Sequence, residues 1–239
     1  MRIIKYIPDC ITSMNLLSGS VAVVFALQGR IEVAFPLMIL AAVFDFLDGL
    51  AARALHAYSD LGKELDSLAD VISFGLLPAL MLHNTMKVCT FSDSPLCWTP
   101  LLIAVFSGIR LARFNVDERQ HSSFIGLPTP AAAMICGSMS YYVAFDPASW
   151  LATHMAGPFF VPALSVIICV LLVCGLPMFS MKFSKDDPRP LILKRIFFII
   201  NVLILAAIVL GMRANWSLAV LLSFALYVLM NVMLAIARV

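Results

Sequence analysis

The chain has 239 residues, of which 62% are hydrophobic and 13% are charged, and its formal net charge is +2. Its mean hydropathy is +0.99. These values lie far outside the range of soluble globular domains and exclude a soluble enzyme or binding module. They predict an integral membrane protein.

Apolar segments recur along the whole chain. Crossing a hydrocarbon core ~30 Å thick takes about 20 apolar residues in a helix. Eight segments approach this length, at 10–29, 32–52, 65–86, 98–115, 129–147, 157–178, 193–211 and 215–236. The sequence therefore predicts an all-α, polytopic bundle of about eight transmembrane helices in a single domain, 1–239. The first segment lacks a small-residue cleavage site and is interpreted as a retained helix.

The basic residues give the orientation. With the N-terminus inside and eight spans, only Arg30, Lys87 and Arg213 of the 16 basic residues fall on the outer side. Cytoplasmic loops carry the excess of lysine and arginine in membrane proteins. Both termini are therefore predicted to be cytoplasmic, with a bacterial cytoplasmic membrane as the expected location.

Acidic residues concentrate where the second span meets the third. Six of the fourteen lie between positions 45 and 70: Asp45, Asp48, Asp60, Glu64, Asp66 and Asp70. Unpaired charge near hydrocarbon is costly, so these carboxylates need partners. Asp45 and Asp48 are three residues apart and Asp66 and Asp70 are four apart, so each pair occupies one helix face. Four carboxylates around one point suit hard cations, and two divalent ions, Mg²⁺ or Mn²⁺, are predicted.

Small residues and an arginine accompany these carboxylates. Gly49, Ala52 and Gly62 carry almost no side-chain bulk, so a large ligand could approach the backbone there. Arg53 offers a planar fork of donors suited to phosphate. The combination favours a diphosphate ligand. The alternative is that the carboxylates merely pair with Arg53, Lys63 and their neighbours at the membrane surface.

The cysteines carry little information about function. Cys89 and Cys97 flank a predicted external loop, and whether they pair as a disulfide is left open. No cysteine or histidine spacing indicates a zinc site.

The stretch from Asp45 to Asp70 reads D-x-x-D-G-x-x-A-R-(x)8-G-x-x-x-D-x-x-x-D. This pattern resembles the signature of the CDP-alcohol phosphatidyltransferases, and every fixed position is matched. The resemblance implies transfer of a phosphatidyl group from CDP-diacylglycerol to an alcohol, with release of CMP. It implies metal ligands at Asp45, Asp48, Asp66 and Asp70, with Asp70 also as general base. It implies CDP-diacylglycerol contacts at Thr12, Gly49, Ala52, Arg53, Ser59 and Gly62. Asp9 stands where the family often has asparagine, which weakens the expected nucleotide contacts near Thr12.

Information on which alcohol accepts the phosphatidyl group comes from two segments, Arg110–Asn115 and Ser123–Pro130. Arg110 and Arg113, three residues apart at the end of the fourth span, can face one site and bind an acceptor or lipid phosphate. Ordinary anchoring at the membrane surface is the equally weighted alternative. Together with Leu65–Gly75, both segments resemble membrane-integral phosphatidylserine synthases. This resemblance implies L-serine as acceptor and a catalytic core over about 1–180, followed by two additional spans over about 193–236.

The sequence leaves two other kinds of function open. Glycerol 3-phosphate or an inositol phosphate is an alternative acceptor, although no further basic cluster is evident beyond Arg110, Arg113 and Arg119. A cation or proton transporter also uses carboxylates within the membrane, but near its middle rather than at one edge. Family resemblance implies a homodimer in a lipid membrane, and no nucleic-acid partner is expected.

Overall fold

Helices make up nearly all of the described structure. The computed structural model describes residues 6–89, 94–116, 124–178 and 189–236. The helices are α1 (Ile7–Leu27), α2 (Ile31–Ala54), α3 (Asp60–Asp70), α4 (Leu77–Cys89), α5 (Leu102–Val116), α6 (Thr129–Phe145), α7 (Trp150–Met155), α8 (Phe160–Val173), α9 (Arg189–Gly211) and α10 (Trp216–Ile236). A π-helical segment, Val71–Leu76, joins α3 to α4, and a 3-10 helix, Pro95–Leu101, leads into α5.

Five of the described helices are long and apolar enough to cross a membrane. They are Ile7–Leu27, Ile31–Ala54, Asp60–Val88, Pro95–Val116 and Trp216–Ile236. Phe160–Val173 and Arg195–Gly211 are shorter apolar helices. The prediction of an all-α polytopic membrane protein is confirmed, and each of the eight predicted apolar segments contains helix. The number of crossings stays a prediction.

The sixth predicted segment ends earlier than expected. Helix α8 stops at Val173, and Pro177–Met178 forms a short strand, β2, antiparallel to β1, Phe124–Ile125. Pro177 has no amide hydrogen to continue a helix, and the residue before a proline favours extended backbone. The short helix α7, which the hydropathy pattern does not predict, begins at a Ser149 cap whose hydroxyl accepts from the Ala152 amide at 3.1 Å.

Helix α6 lies at the centre of the bundle. Every residue from Ala131 to Val143 is buried, and the helix packs against α2, α4 and α10. At Gly137 an added Cβ would collide with the side chains of Met38 and Phe35. Small residues of this kind let membrane helices approach closely. They allow the surrounding helices to pack directly against α6.

Helix α1 runs parallel to α3 and to the π-helical segment Val71–Leu76 that follows it, in close contact with both. An added Cβ at Gly62 would lie 2.6 Å from Asp9 Oδ1, and one at Gly19 would collide with Ser73. The Ser73 hydroxyl also donates to the Asn15 carbonyl at 3.3 Å. Because α2 is antiparallel to α1, the start of α1, the end of α2 and the start of α3 meet at one end of the bundle.

This close contact makes Gly19 sensitive to substitution. In Gly19→Ala the new methyl would lie 2.9 Å from Ser73 Cβ and 3.0 Å from Ser73 Cα. Overpacking costs about 1–3 kcal/mol, which outweighs the gain of up to ~1 kcal/mol from replacing glycine in a helix. We expect a lower thermal unfolding midpoint in detergent. Gly108→Ala is the control, because nothing lies within 4 Å of its added Cβ; equal midpoints for the two variants would contradict the packing argument.

Candidate active site

Three carboxylates from two helices meet at one point. Asp45 and Asp48 lie one turn apart in the last part of α2, and Asp66 lies in α3. Each can present a carboxylate oxygen so that the three oxygens lie within 4.8 Å of one another. Asp48 is buried, while the other two are half-buried. The structure thus brings together three of the four predicted metal ligands.

Asp70 lies one turn beyond Asp66 on the same helix and is buried. It interacts electrostatically with the three clustered carboxylates and with Arg110. Its Oδ1 atom is buried and has no hydrogen-bond partner in the described part of the chain. Asp70 is therefore next to the cluster of Asp45, Asp48 and Asp66 but is not one of its members.

Thr12 supports this cluster from α1. Its hydroxyl lies 2.6 Å from Asp48 Oδ2 and 3.0 Å from the Pro8 carbonyl oxygen. Donation to Asp48 fixes the orientation of that carboxylate. Thr12 was predicted from resemblance to contact the nucleotide lipid, and the structure gives its hydroxyl a second role beside the carboxylates.

A cleft of about 210 Å³ opens beside the carboxylates, between α1, the end of α2 and the start of α3. Five of the six residues predicted to bind CDP-diacylglycerol line it, together with two of the carboxylates. The lining residues are Pro8, Asp9, Thr12, Asp48, Gly49, Ala52, Ala57, Tyr58, Ser59, Gly62, Lys63 and Asp66. The sixth predicted residue, Arg53, is exposed, and its guanidinium lies near Gly49.

The two glycines of the cleft differ in what surrounds them. At Gly62 an added Cβ would lie 2.6 Å from Asp9 Oδ1 and 2.9 Å from Ser59 Oγ, so a side chain there would displace the Asp9 carboxylate and the Ser59 cap. At Gly49 the nearest atom to an added Cβ is the Arg53 guanidinium nitrogen at 3.6 Å, an ordinary contact. The protein alone does not require glycine at position 49, which leaves a bare backbone surface facing the cleft.

Ser59 and Lys63 shape the start of α3. Ser59 is the N-cap, and its Oγ accepts from the Gly62 amide at 2.9 Å. Lys63 Nζ donates to the Asn115 carbonyl at 3.1 Å, and Asn115 Nδ2 donates to Ser67 Oγ at 2.9 Å. These bonds tie α3 to the end of α5. Lys63 and Tyr58 also line the cleft, although the sequence analysis did not select them as site residues. Lys63 could have been selected because it lies three residues before Asp66, on the same face of α3.

The two predicted acceptor arginines occupy different environments. Arg110 is buried, and its Nη1 donates to Thr129 Oγ1 at 2.9 Å. It also interacts electrostatically with Asp70 and with Tyr227 of α10. Arg113 is exposed. Arg110 therefore lies near Asp70, whereas the expectation that Arg113 faces the same site stays a prediction.

The carboxylate cluster has the properties of a divalent-cation site. At an effective dielectric constant of about 20, two unit charges 4.8 Å apart repel by about 3.5 kcal/mol. A divalent cation would remove this repulsion, and carboxylate oxygens are the ligands that Mg²⁺ and Mn²⁺ prefer. The buried, unpaired Oδ1 of Asp70 offers a further oxygen. The residues present therefore fit a hard divalent ion.

Some residues used in the predictions lie outside the described part of the chain. The side chain of Cys89 lies outside the described part, so whether it pairs with Cys97 stays open. Several basic residues used for the orientation also lie outside it: Arg2, Lys5, Arg119, Lys182, Lys185 and Arg238. For Lys194 the structure describes only the backbone.

Comparisons with known proteins agree with this site. The chain is 36% identical over 195 residues to a CDP-diacylglycerol–serine O-phosphatidyltransferase of Mycobacterium bovis, covering 78% of this chain and 65% of that protein. It is 34% identical over 137 residues to the protein of that name from Bacillus subtilis, covering 57% and 76%. It is 34% identical over 168 residues to an archaetidylserine synthase of Methanothermobacter thermautotrophicus, covering 68% and 66%. The match thus spans slightly less than two thirds of the mycobacterial relative.

The family comparison covers the whole site. The model of the CDP-alcohol phosphatidyltransferase domain matches residues 5–174, which include the four carboxylates, the cleft and Arg110. The match extends over most of the chain. The protein is therefore a member of the CDP-alcohol phosphatidyltransferase family.

Proposed function

We propose that the protein transfers the phosphatidyl group of CDP-diacylglycerol to the hydroxyl of L-serine, forming phosphatidylserine and CMP. The observation that carries this proposal is the meeting of Asp45, Asp48 and Asp66 beside a cleft with a bare backbone surface at Gly49. Carboxylates beside such a cleft suit a diphosphate ligand with bound cations. The names of the relatives supply the acceptor, L-serine.

The proposal also covers the cellular location of the protein and its domain organisation. The site faces the cytoplasm of a bacterial cytoplasmic membrane, where nucleotide and serine are available, and both termini lie on that side. The family match over 5–174 supports a catalytic core over about 1–180, with two further spans over about 193–236. Substrate lipid enters sideways from the bilayer, and the protein acts as a homodimer without a nucleic-acid partner.

Two divalent cations, Mg²⁺ or Mn²⁺, complete the site in this proposal. Asp45, Asp48 and Asp66 hold one, and Asp66 and Asp70 contribute to the second. When bound, the ions neutralise the diphosphate and the charge that develops on the departing CMP. The buried Asp70 Oδ1 and the three clustered oxygens support this ligand set.

The cleft residues hold the nucleotide end of the lipid. Arg53 grips a phosphate with its donor fork, and Gly49 and Ala52 let the diphosphate lie against the α2 backbone. Ser59 and Gly62 shape the cleft wall at the start of α3. Lys63, which lines the cleft, adds positive charge near the diphosphate.

Asp70 positions the acceptor and takes its proton. The serine hydroxyl oxygen forms a bond to the phosphorus of the phosphatidyl group as the bond from that phosphorus to CMP breaks. The bonding pair leaves with CMP, and the hydroxyl proton passes to the Asp70 carboxylate. A carboxylate near two cations is a weak base, so orientation of the hydroxyl is the larger part of its contribution.

Arg110 is the proposed partner of the serine carboxylate. It is buried, interacts with Asp70, and has an Nε atom without a hydrogen-bond partner in the described residues. Arg113 is exposed and is better suited to a lipid phosphate at the membrane surface. As acceptors, glycerol 3-phosphate or an inositol phosphate would need a further anion pocket for the acceptor's own phosphate.

The deciding experiment is CMP release by the purified protein in detergent with CDP-diacylglycerol. We expect release to require Mg²⁺ or Mn²⁺ and to rise on addition of L-serine, with phosphatidylserine as product. The same assay includes glycerol 3-phosphate, an inositol phosphate and no acceptor. Stimulation by one of those phosphates instead of serine would overturn the acceptor assignment, and no metal-dependent release at all would favour a transporter.

Asp70→Asn tests the proton acceptor with almost no change in volume. We expect serine-dependent CMP release to fall by about 10²–10⁴-fold, the usual contribution of general acid–base catalysis. Binding of CDP-diacylglycerol, measured as its stabilisation of the protein against thermal unfolding, should survive in part. Asp146→Asn, at an exposed position, is the control; full activity of Asp70→Asn would show that Asp70 is not the base.

Asp66→Asn tests the metal site. Removing one carboxylate relieves repulsion, so the unfolding midpoint without metal should rise, whereas the further rise on adding Mn²⁺ should shrink because a ligand is lost. Asp60→Asn removes an exposed acid in the first turn of the same helix and should leave the Mn²⁺ effect intact. Equal Mn²⁺ shifts in wild type and Asp66→Asn would remove Asp66 from the ligand set.

A further inference from the structure

Asn15 has a buried side chain that the site described above does not use. Its exposed fraction is 0%, and neither Nδ2 nor Oδ1 has a hydrogen-bond partner in the described part of the chain. Burying an amide without partners is unfavourable, and most buried polar side chains in proteins are hydrogen-bonded. An amide left in this way, next to a candidate active site, has both polar atoms available to a partner that is not part of the protein.

The packing of α1 against α3 places Asn15 at the level of Asp70. These helices run parallel, with Asp9 beside Gly62 and Gly19 beside Ser73. Asn15 lies between Asp9 and Gly19, and Asp70 lies in the corresponding part of the stretch between Gly62 and Ser73. Thr12, one turn before Asn15 on the same buried face, contacts Asp48 directly.

A second set of unpaired polar atoms comes from α5. Ser107 Oγ and Arg110 Nε are buried without hydrogen-bond partners in the described residues, and they lie one turn apart. Ser107 packs against Gly75, five residues after Asp70, at 3.1 Å from an added Cβ. Arg110 interacts electrostatically with Asp70 itself. Helices α1 and α5 therefore both present unsatisfied polar groups in the neighbourhood of Asp70.

We propose that Asn15 is a specificity residue whose Oδ1 accepts a hydrogen bond from the ammonium group of the acceptor amino acid. This inference rests on the proposed function. An amino acid with a reactive hydroxyl has three groups to place, and the hydroxyl belongs at Asp70. Arg110 matches the carboxylate by charge, which leaves the ammonium group in need of an oxygen acceptor.

A neutral amide suits this position better than another acid. The cluster and Asp70 already supply four carboxylates, and a fifth would add repulsion and compete for divalent cations. Asn15 Oδ1 accepts from an ammonium group without adding charge. Its Nδ2 then remains free to donate to a substrate oxygen, so both orphaned atoms of the side chain gain partners when the acceptor binds.

Asn15→Leu tests the proposal because it removes both polar atoms and roughly keeps the volume. We expect the KM for L-serine to rise at least tenfold, with the KM for CDP-diacylglycerol changed less than twofold. The comparison compound is 3-hydroxypropionate, which lacks the ammonium group, used as a competitor of serine. Wild type should favour serine over it by at least tenfold, and in the variant this preference should fall towards one.

Two control variants distinguish a wrong role for Asn15 from misfolding of the variant. Asn201→Leu removes an amide that donates to the Phe197 carbonyl at 2.8 Å in α9, and it should leave all these constants unchanged. Asn15→Ala, with a smaller side chain, should reproduce the loss of preference if Asn15→Leu does not fold. An unchanged serine preference in either folded variant, or equal weakening of serine and 3-hydroxypropionate, would overturn the role of Asn15. Absence of serine-dependent CMP release in wild type would instead overturn the proposed function.

Discussion

The close approach of α1 to α3 sets the geometry at the polar end of this bundle. Gly19 and Gly62 allow it, because a methyl group at either position would collide with the facing helix or with Asp9. Thr12 of α1 lies 2.6 Å from Asp48 of α2, and the approach of α1 to α3 brings Asn15 to the level of Asp70. Without that approach, Thr12 would still reach Asp48, but Asn15 would lie farther from Asp70.

Electrostatics explains why the acids gather at one end of an apolar bundle. Carboxylates are costly within hydrocarbon, and placing three of their oxygens within 4.8 Å adds mutual repulsion. Such an arrangement lowers the stability of the protein without its ions. A bound divalent cation would attract all three carboxylates and offset their mutual repulsion, so cation binding would stabilise the folded protein.

Much of the site could be predicted from the sequence because its residues have fixed spacing on helices. The pairs Asp45–Asp48 and Asp66–Asp70 follow from periodicity alone. Asn15 was missed because a single polar residue in an apolar segment has no meaning until its neighbours are known. The contrast between Arg110 and Arg113 likewise depends on which side of α5 is covered, and the early end of α8 depends on local pairing of β1 with β2.

That pairing of β1 with β2 also has a consequence for how firmly Arg110 is held. The Gly126 amide donates to the Leu176 carbonyl at 2.9 Å and the Leu127 amide to the Leu171 carbonyl at 2.8 Å, so the entry to α6 is clamped to the end of α8. Thr129, which holds Arg110, begins just beyond this clamp. Arg110, the proposed partner of the serine carboxylate, is thus held in place before any ligand arrives, and binding there would lose little conformational entropy. The cleft beside the carboxylates, by contrast, is bordered by the exposed side chains of Arg53 and Tyr58, whose ordering would accompany binding.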